Sequence, residues 1–168
     1  MATHDTVHGD ARTHVAQLVK NAQVAMLTTT DTHGRRVSRP MGLQDADFDG
    51  DLWFFAYADS AKAAQIATDP EVGISFTDSK DHTWTSITGR AQVVRDRAKA
   101  EQLYTPFLKA WFPDGLDTPG LVLIKVEADS AQYWEAPSST TAFVLGNLRA
   151  AVTGNPHKDP ITTDTVDL

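Results

Sequence analysis

The tetrad Asp59-Ser60-Ala61-Lys62 follows the apolar run Leu52-Trp-Phe-Phe-Ala-Tyr and precedes an Ala-rich segment, so it marks a strand-to-helix junction. A helix start leaves backbone N–H groups without intrahelical partners and carries the positive end of the dipole, so it draws anions. Ser60 is placed to cap this helix, and Lys62 adds a full positive charge in the first turn, where it opposes the dipole unless an anion is present. Two readings stand: an ordinary capping serine beside a solvated lysine, or a phosphate-type anion held by both. Arg39 lies in an otherwise apolar strand segment just before Pro40. Its planar fork of donors suits a phosphate, the carbonyl edge of a heterocycle, or simple pairing with one of the many carboxylates. Trp84 and Trp134 stand at the start and end of strand-like runs beside Thr85, Ser86 and Tyr133. Part-exposed rings there can meet a planar ligand, although core packing is the default use of tryptophan.

Other chemistries lack their residues. The chain has no cysteine, which removes disulfides, thiol nucleophiles, iron–sulfur clusters and thiolate zinc sites. There is no G-x-S-x-G elbow, no G-x-G-x-x-G turn and no P-loop, so hydrolase, Rossmann and NTPase signals are missing. Of the six histidines only His4 and His8 form a close pair, in a polar segment without apolar periodicity, and no metal site is expected. With 15 Lys+Arg against 22 Asp+Glu the net charge is −7, which disfavours nucleic-acid binding through phosphate neutralisation. No stretch approaches the roughly 20 apolar residues of a membrane helix, and the polar start does not read as a signal peptide. A cytoplasmic protein that binds neither membrane nor nucleic acid is expected.

The 168 residues, 41% hydrophobic, suit one domain with a substantial core. Residues 1–9 read as a flexible arm, 10–153 as the folded domain and 154–168 as a poorly ordered tail. Asp10 can cap a helix with Val15, Leu18, Val19 and Ala22 on one face. VAMLTTT from Val24 and the segment from Val37 read as two strands joined by a glycine-containing turn, with Pro40 confining the second to an edge or bulge. The apolar run from Leu52 predicts a central strand, and the segment from Ser60 to Pro70 a short helix. Two strands follow over 71–77 and 83–95, a helix begins at Asp96, and a last strand runs from Leu121 to Glu135. A final helix is expected from Ser138 or Ser139 to about Val152. Several strand-to-strand links lack a helix, which disfavours a doubly wound parallel sheet and favours a closed or nearly closed antiparallel barrel with peripheral helices.

Ser38-Arg-Pro-Met41, the run Leu52-Trp-Phe-Phe-Ala-Tyr-Ala-Asp-Ser-Ala-Lys62 and Trp84-Thr-Ser-Ile-Thr-Gly-Arg-Ala91 together resemble the FMN-binding split barrels of the pyridoxamine 5′-phosphate oxidase superfamily. Lys109-Ala-Trp-Phe-Pro-Asp-Gly115, Ala131-Gln-Tyr-Trp-Glu-Ala-Pro-Ser-Ser139 and the ending Val166-Asp-Leu168 are similar to its general stress protein 26 group. The resemblance runs from about residue 10 to the end and implies a mainly β fold, a split antiparallel barrel. It also implies a homodimer with two FMN sites at the interface. Arg39, Pro40 and Met41 would run along the isoalloxazine, Phe54 and Phe55 would offer backbone beside the ribityl chain, and Ser60 and Lys62 would hold the phosphate. Trp84, Ser86 and Trp134 would reach the ring from the partner. Ala56 stands where the family often has Thr, and Ala61 where the vitamin oxidase has Arg, so the phosphate loses donors; a charge-assisted hydrogen bond contributes roughly 1.5–3 kcal/mol. The Arg-containing C-terminal segment that serves the vitamin substrate is missing.

The expected function is therefore flavin-dependent redox chemistry on an unidentified small molecule, with no catalytic side chain assigned. The alternatives are a non-catalytic, stress-related flavin sensor or flavin reservoir, or a barrel that takes FAD or a deazaflavin. Haem is disfavoured because no histidine lies in an apolar strand.

Overall fold

The computed structural model describes residues 3–44, 48–136 and 162–168. The elements are α1 (Thr3–Asn21), β1 (Val24–Thr30), β2 (Arg36–Gly42), β3 (Asp51–Tyr57), α2 (Ala61–Thr68), β4 (Glu71–Asp78), β5 (Thr83–Val94), α3 (Arg97–Leu103), β6 (Leu121–Glu135) and β7 (Thr162–Asp167). Two 3-10 turns, Pro106–Ala110 and Gly115–Asp117, lie between α3 and β6. The strands form one sheet in the order β2-β1-β4-β5-β6-β3, with β7 added to β6, and the six strand pairings it contains are antiparallel. β2 and β3 end the order yet approach one another, which curls the sheet into a split barrel.

Alternation decides what lies inside. β5 buries Thr83, Thr85, Ile87, Gly89 and Ala91, and turns Trp84, Ser86, Thr88 and Arg90 outward. Leu27, Phe54, Ile74, Ile87, Ile124, Val126 and Val166 fill the barrel. Val15, Leu18 and Val19 of α1 and Ile66 of α2 pack against the same core, so the stripe read at three- and four-residue spacing is the buried one.

β3 corrects one expectation. A strand apolar almost throughout is expected at the centre of the sheet, yet β3 ends the pairing order. Its apolar character comes from being covered on both faces. Leu52, Phe54 and Ala56 enter the barrel, while Phe55 joins a second cluster with Ala100, Leu103, Leu108, Phe112 and Leu123, against which Trp53 and Tyr57 pack.

The two chain ends also differ from the sequence reading. α1 begins at Thr3 rather than at Asp10, so the segment read as an arm is helical. No proline interrupts it, and the single Gly9 costs only about 1 kcal/mol, which a docked helix outweighs. The tail carries β7, whose Val166 is fully buried and pairs with Ala131. Its Thr-rich sequence carries little apolar signal because a single inward residue is enough to anchor an edge strand. The helix expected over 138–152 lies outside the described residues.

β6 is long because it serves three neighbours. Residues 121–127 pair with β3, residues 130–135 with β7, and both halves with β5; a bulge between Thr88 and Gly89 shifts the register where the partner changes.

Candidate anion and cofactor site

β2 turns Arg39 inward, next to Leu27 of β1, and α2 crosses the same end of the barrel. The guanidinium is held by a closed ring of hydrogen bonds. Arg39 Nη1 donates to Thr29 Oγ1 at 2.6 Å and to the Leu27 carbonyl at 3.3 Å. Arg39 Nη2 donates to Gln65 Oε1 at 3.0 Å, and the Thr29 hydroxyl donates to that same oxygen at 2.6 Å. Arginine can only donate, so the Gln65 atom facing it is the carbonyl oxygen and the hydrogen of Thr29 is committed to Gln65. Thr29 is fully buried, so its hydroxyl needs these partners.

Lys62 and Gln65 lie three residues apart on α2 and therefore share a helix face. Burial, and then the positive charge of Arg39, hold the Lys62 ammonium below its ordinary pKa. Burial likewise lowers that of Arg39. No carboxylate among the described residues forms an ion pair with either cation. Two partly desolvated cations beside one another without a counter-ion is an unfavourable arrangement that an anion would relieve.

Ser60 occupies the N-cap position of α2, but its hydroxyl donates to the Tyr57 carbonyl at 2.6 Å and makes no side-chain cap bond. The capping expected from sequence is thus positional only: the hydroxyl is drawn back onto the end of β3. Met41 and Phe54 are spent on the barrel core and Phe55 on the second cluster, so these side chains are committed to packing.

The remaining expected residues lie on the other face of the sheet. Trp84 stands directly opposite Trp134 across β5 and β6. Ser86 lies between Ser75 of β4 and Gln132 of β6, and Ser75 pairs in turn with Met26, which pairs with Pro40. This outward row, Pro40, Met26, Ser75, Ser86 and Gln132, spans five strands, roughly 19 Å, without a charged residue. The next row joins Ser38 to Thr28 at 2.7 Å and Thr88 to Ser130 at 2.9 Å. Trp84 is 41% and Val24 57% exposed. Within one chain, then, Arg39, Lys62 and Ser60 cluster at one end of the barrel while Trp84, Ser86 and Trp134 are turned away from the barrel interior.

Thr29 and Gln65 were not anticipated. A threonine at an inward position of VAMLTTT, and a glutamine one turn after Lys62, are the only traces they leave in the sequence. A separate cleft of about 620 Å³ lies between α1 and the β4–β5 turn. His14 Nε2 and Glu135 Oε1 meet there at 2.8 Å, and Asp78 and Asp81 line it, an acidic lining unsuited to a phosphate.

Comparison with known proteins bears on this geometry. Residues 10–158 match the family model described as pyridoxamine 5′-phosphate oxidase like. Protein bli-3 of Neurospora crassa is 30% identical over 152 residues, covering 84% of this chain and 73% of that protein. A solved structure described as a general stress protein 26 from Jannaschia sp. CCS1 superposes with a TM-score of 0.75 at 20% identity, over 95% of this chain and 99% of the other. The general stress FMN/FAD binding protein of Xanthomonas citri gives a TM-score of 0.67 at 28% identity, over 78% and 92% of the two chains. With a family match over most of its length and a barrel of the same architecture, the chain belongs to the pyridoxamine 5′-phosphate oxidase-like family.

Proposed function

We propose that this protein binds FMN, with the phosphate between Arg39 and Lys62, and acts as a homodimeric flavin-dependent oxidoreductase on a small molecule. The observation that carries the reading is Arg39, held by neutral oxygens, beside the partly buried Lys62, with no carboxylate among the described residues paired to either. This reading assigns Arg39 to the anionic end rather than to the isoalloxazine edge that the resemblance implies. Ser60, two residues before Lys62, would flank the phosphate, and the backbone of Pro40, Met41, Phe54 and Phe55 would follow the rest of the flavin. The name of the Xanthomonas citri relative, an FMN/FAD binding protein, supports a flavin.

The dimer is supported by the outward sheet face. The uncharged rows at its centre, with Val24, Met26, Pro40 and Trp84 exposed and the charged Arg36, Glu71 and Arg90 towards one border, suit burial against a second copy. Trp84, Ser86 and Trp134 on that face are then available to the flavin held by the partner.

Bound flavin supplies electron or hydride transfer, and the protein supplies orientation and charge. Among the described residues the cluster contains no histidine or carboxylate to move a proton, which favours a second reading: a flavin-binding protein without a dedicated substrate. Titration of the purified protein with FMN, followed by absorbance and flavin fluorescence, tests the core reading. One FMN per chain, bound more tightly than riboflavin, is expected; absence of binding would overturn it. Trp134→Ala is expected to alter the emission of bound flavin. Reoxidation of the reduced flavin by a metabolite faster than by oxygen separates the enzyme from the carrier.

A further inference from the structure

We infer that Gln65 is a positioning residue that keeps the anion site electrically uncompensated: its neutral carbonyl orients Arg39 where a carboxylate would cancel it. The inference rests on the phosphate-binding reading and deepens it. Buried or half-buried guanidinium groups are usually satisfied by Asp or Glu, which are the better acceptors. This chain has 22 acidic residues, yet the three acceptors of Arg39 are an amide oxygen, a hydroxyl and a backbone carbonyl. Gln65 Oε1 takes two donors, from Arg39 Nη2 at 3.0 Å and from Thr29 at 2.6 Å, so it is the node of the ring. A glutamate there would have the same shape and would accept both hydrogen bonds. The difference would be one negative charge beside Arg39 and one helical turn from Lys62.

The two possible roles of Gln65 therefore separate. If it served stability alone, Gln65→Glu would be neutral or favourable, since the same bonds become charge-assisted. If it preserves net positive charge, the same variant must weaken a phosphorylated ligand selectively. The binding partner of the site is accordingly a ligand that brings its own negative charge, and selectivity resides in Arg39 being held by neutral acceptors, with no carboxylate among the described residues bonded to it.

The experiment compares FMN and riboflavin binding to wild type, Gln65→Glu and Gln65→Met, with thermal melts of each. Gln65→Glu should fold with an unchanged or higher Tm, lose FMN affinity by about tenfold or more at low salt, and keep its riboflavin affinity. FMN binding within threefold of wild type, or a parallel loss for both ligands, would overturn the inference. Gln65→Met should weaken FMN less than Gln65→Glu does; the reverse order would overturn it. Should Gln65→Glu fail to fold, the pair Thr29→Ser and Thr29→Val decides: the ring survives only where the hydroxyl does, so Thr29→Ser should retain FMN and Thr29→Val lose it, and equal binding by both overturns the inference. Inorganic phosphate, read as a gain in Tm over chloride at matched ionic strength, separates this inference from the flavin reading. Protection of wild type but not of Gln65→Glu, without FMN binding, would leave the charge role standing and remove the flavin. No protection and no FMN binding would remove both.

Discussion

Lys62 shares a face of α2 with Gln65, the hydrogen-bond partner of Arg39, and burial first and then the guanidinium's charge hold the lysine below its ordinary pKa, with no carboxylate among the described residues paired to either cation. The folded protein without ligand thus carries a charge arrangement worse than that of its unfolded chain. Such local cost is typical of a site shaped for a ligand rather than for stability.

The pH dependence follows from the sign. The folded chain binds the Lys62 proton less tightly than the unfolded chain, whose lysine titrates near 10.5, so the ligand-free protein gains stability as pH rises from the depressed value towards 10.5. Lys62→Met should remove this gain and raise the Tm of the ligand-free protein at neutral pH, on the order of 1–2 °C because the group is partly solvated. The same variant should lose most of its preference for FMN over riboflavin. In wild type, FMN affinity should decline on the alkaline side below pH 10.5, while riboflavin affinity stays level; a flat FMN profile would remove Lys62 from the phosphate.

Met26 tests the outward face. It is the second residue of the uncharged row, between Pro40 and Ser75, and is 38% exposed, where a carboxylate costs a lone chain little. Met26→Glu should shift the particle from two chains to one in light scattering and weaken FMN binding with it. A dimer that persists would show that the interface lies elsewhere.

Gly89 tests the bulge. A Cβ at this position would collide with the Glu127 carbonyl oxygen and crowd Ala128, and backbone cannot swing aside as a side chain can. Gly89→Ala should therefore destabilise by about 1–3 kcal/mol, read from urea unfolding, and leave the ratio of FMN to riboflavin affinity unchanged. Unaltered stability would mean that β5 and β6 can re-register at little cost.

The strands, their turns and the edge position of Pro40 were legible because their causes are local: β-branched alternation, glycine turns and a missing N–H act over a few residues. The α1 stripe was legible for the same reason. Lys62 also announced itself, since a cation in the first turn of a helix conflicts with the dipole whatever surrounds it.

Convergence was not legible. Sequence alone established an antiparallel barrel of short elements with an oddly placed lysine and an arginine in an apolar strand. Only the tertiary structure decided that β3 ends the sheet order while being covered on both faces, and that the last residues return as β7. It alone decided that Thr29, Arg39 and Gln65 close one ring across 36 residues, with Lys62 on the same helix face. The reason is physical: periodicity records which way a side chain points from its own backbone, whereas strand order and the crossing of α2 set which side chains from distant segments end up within 3 Å of each other.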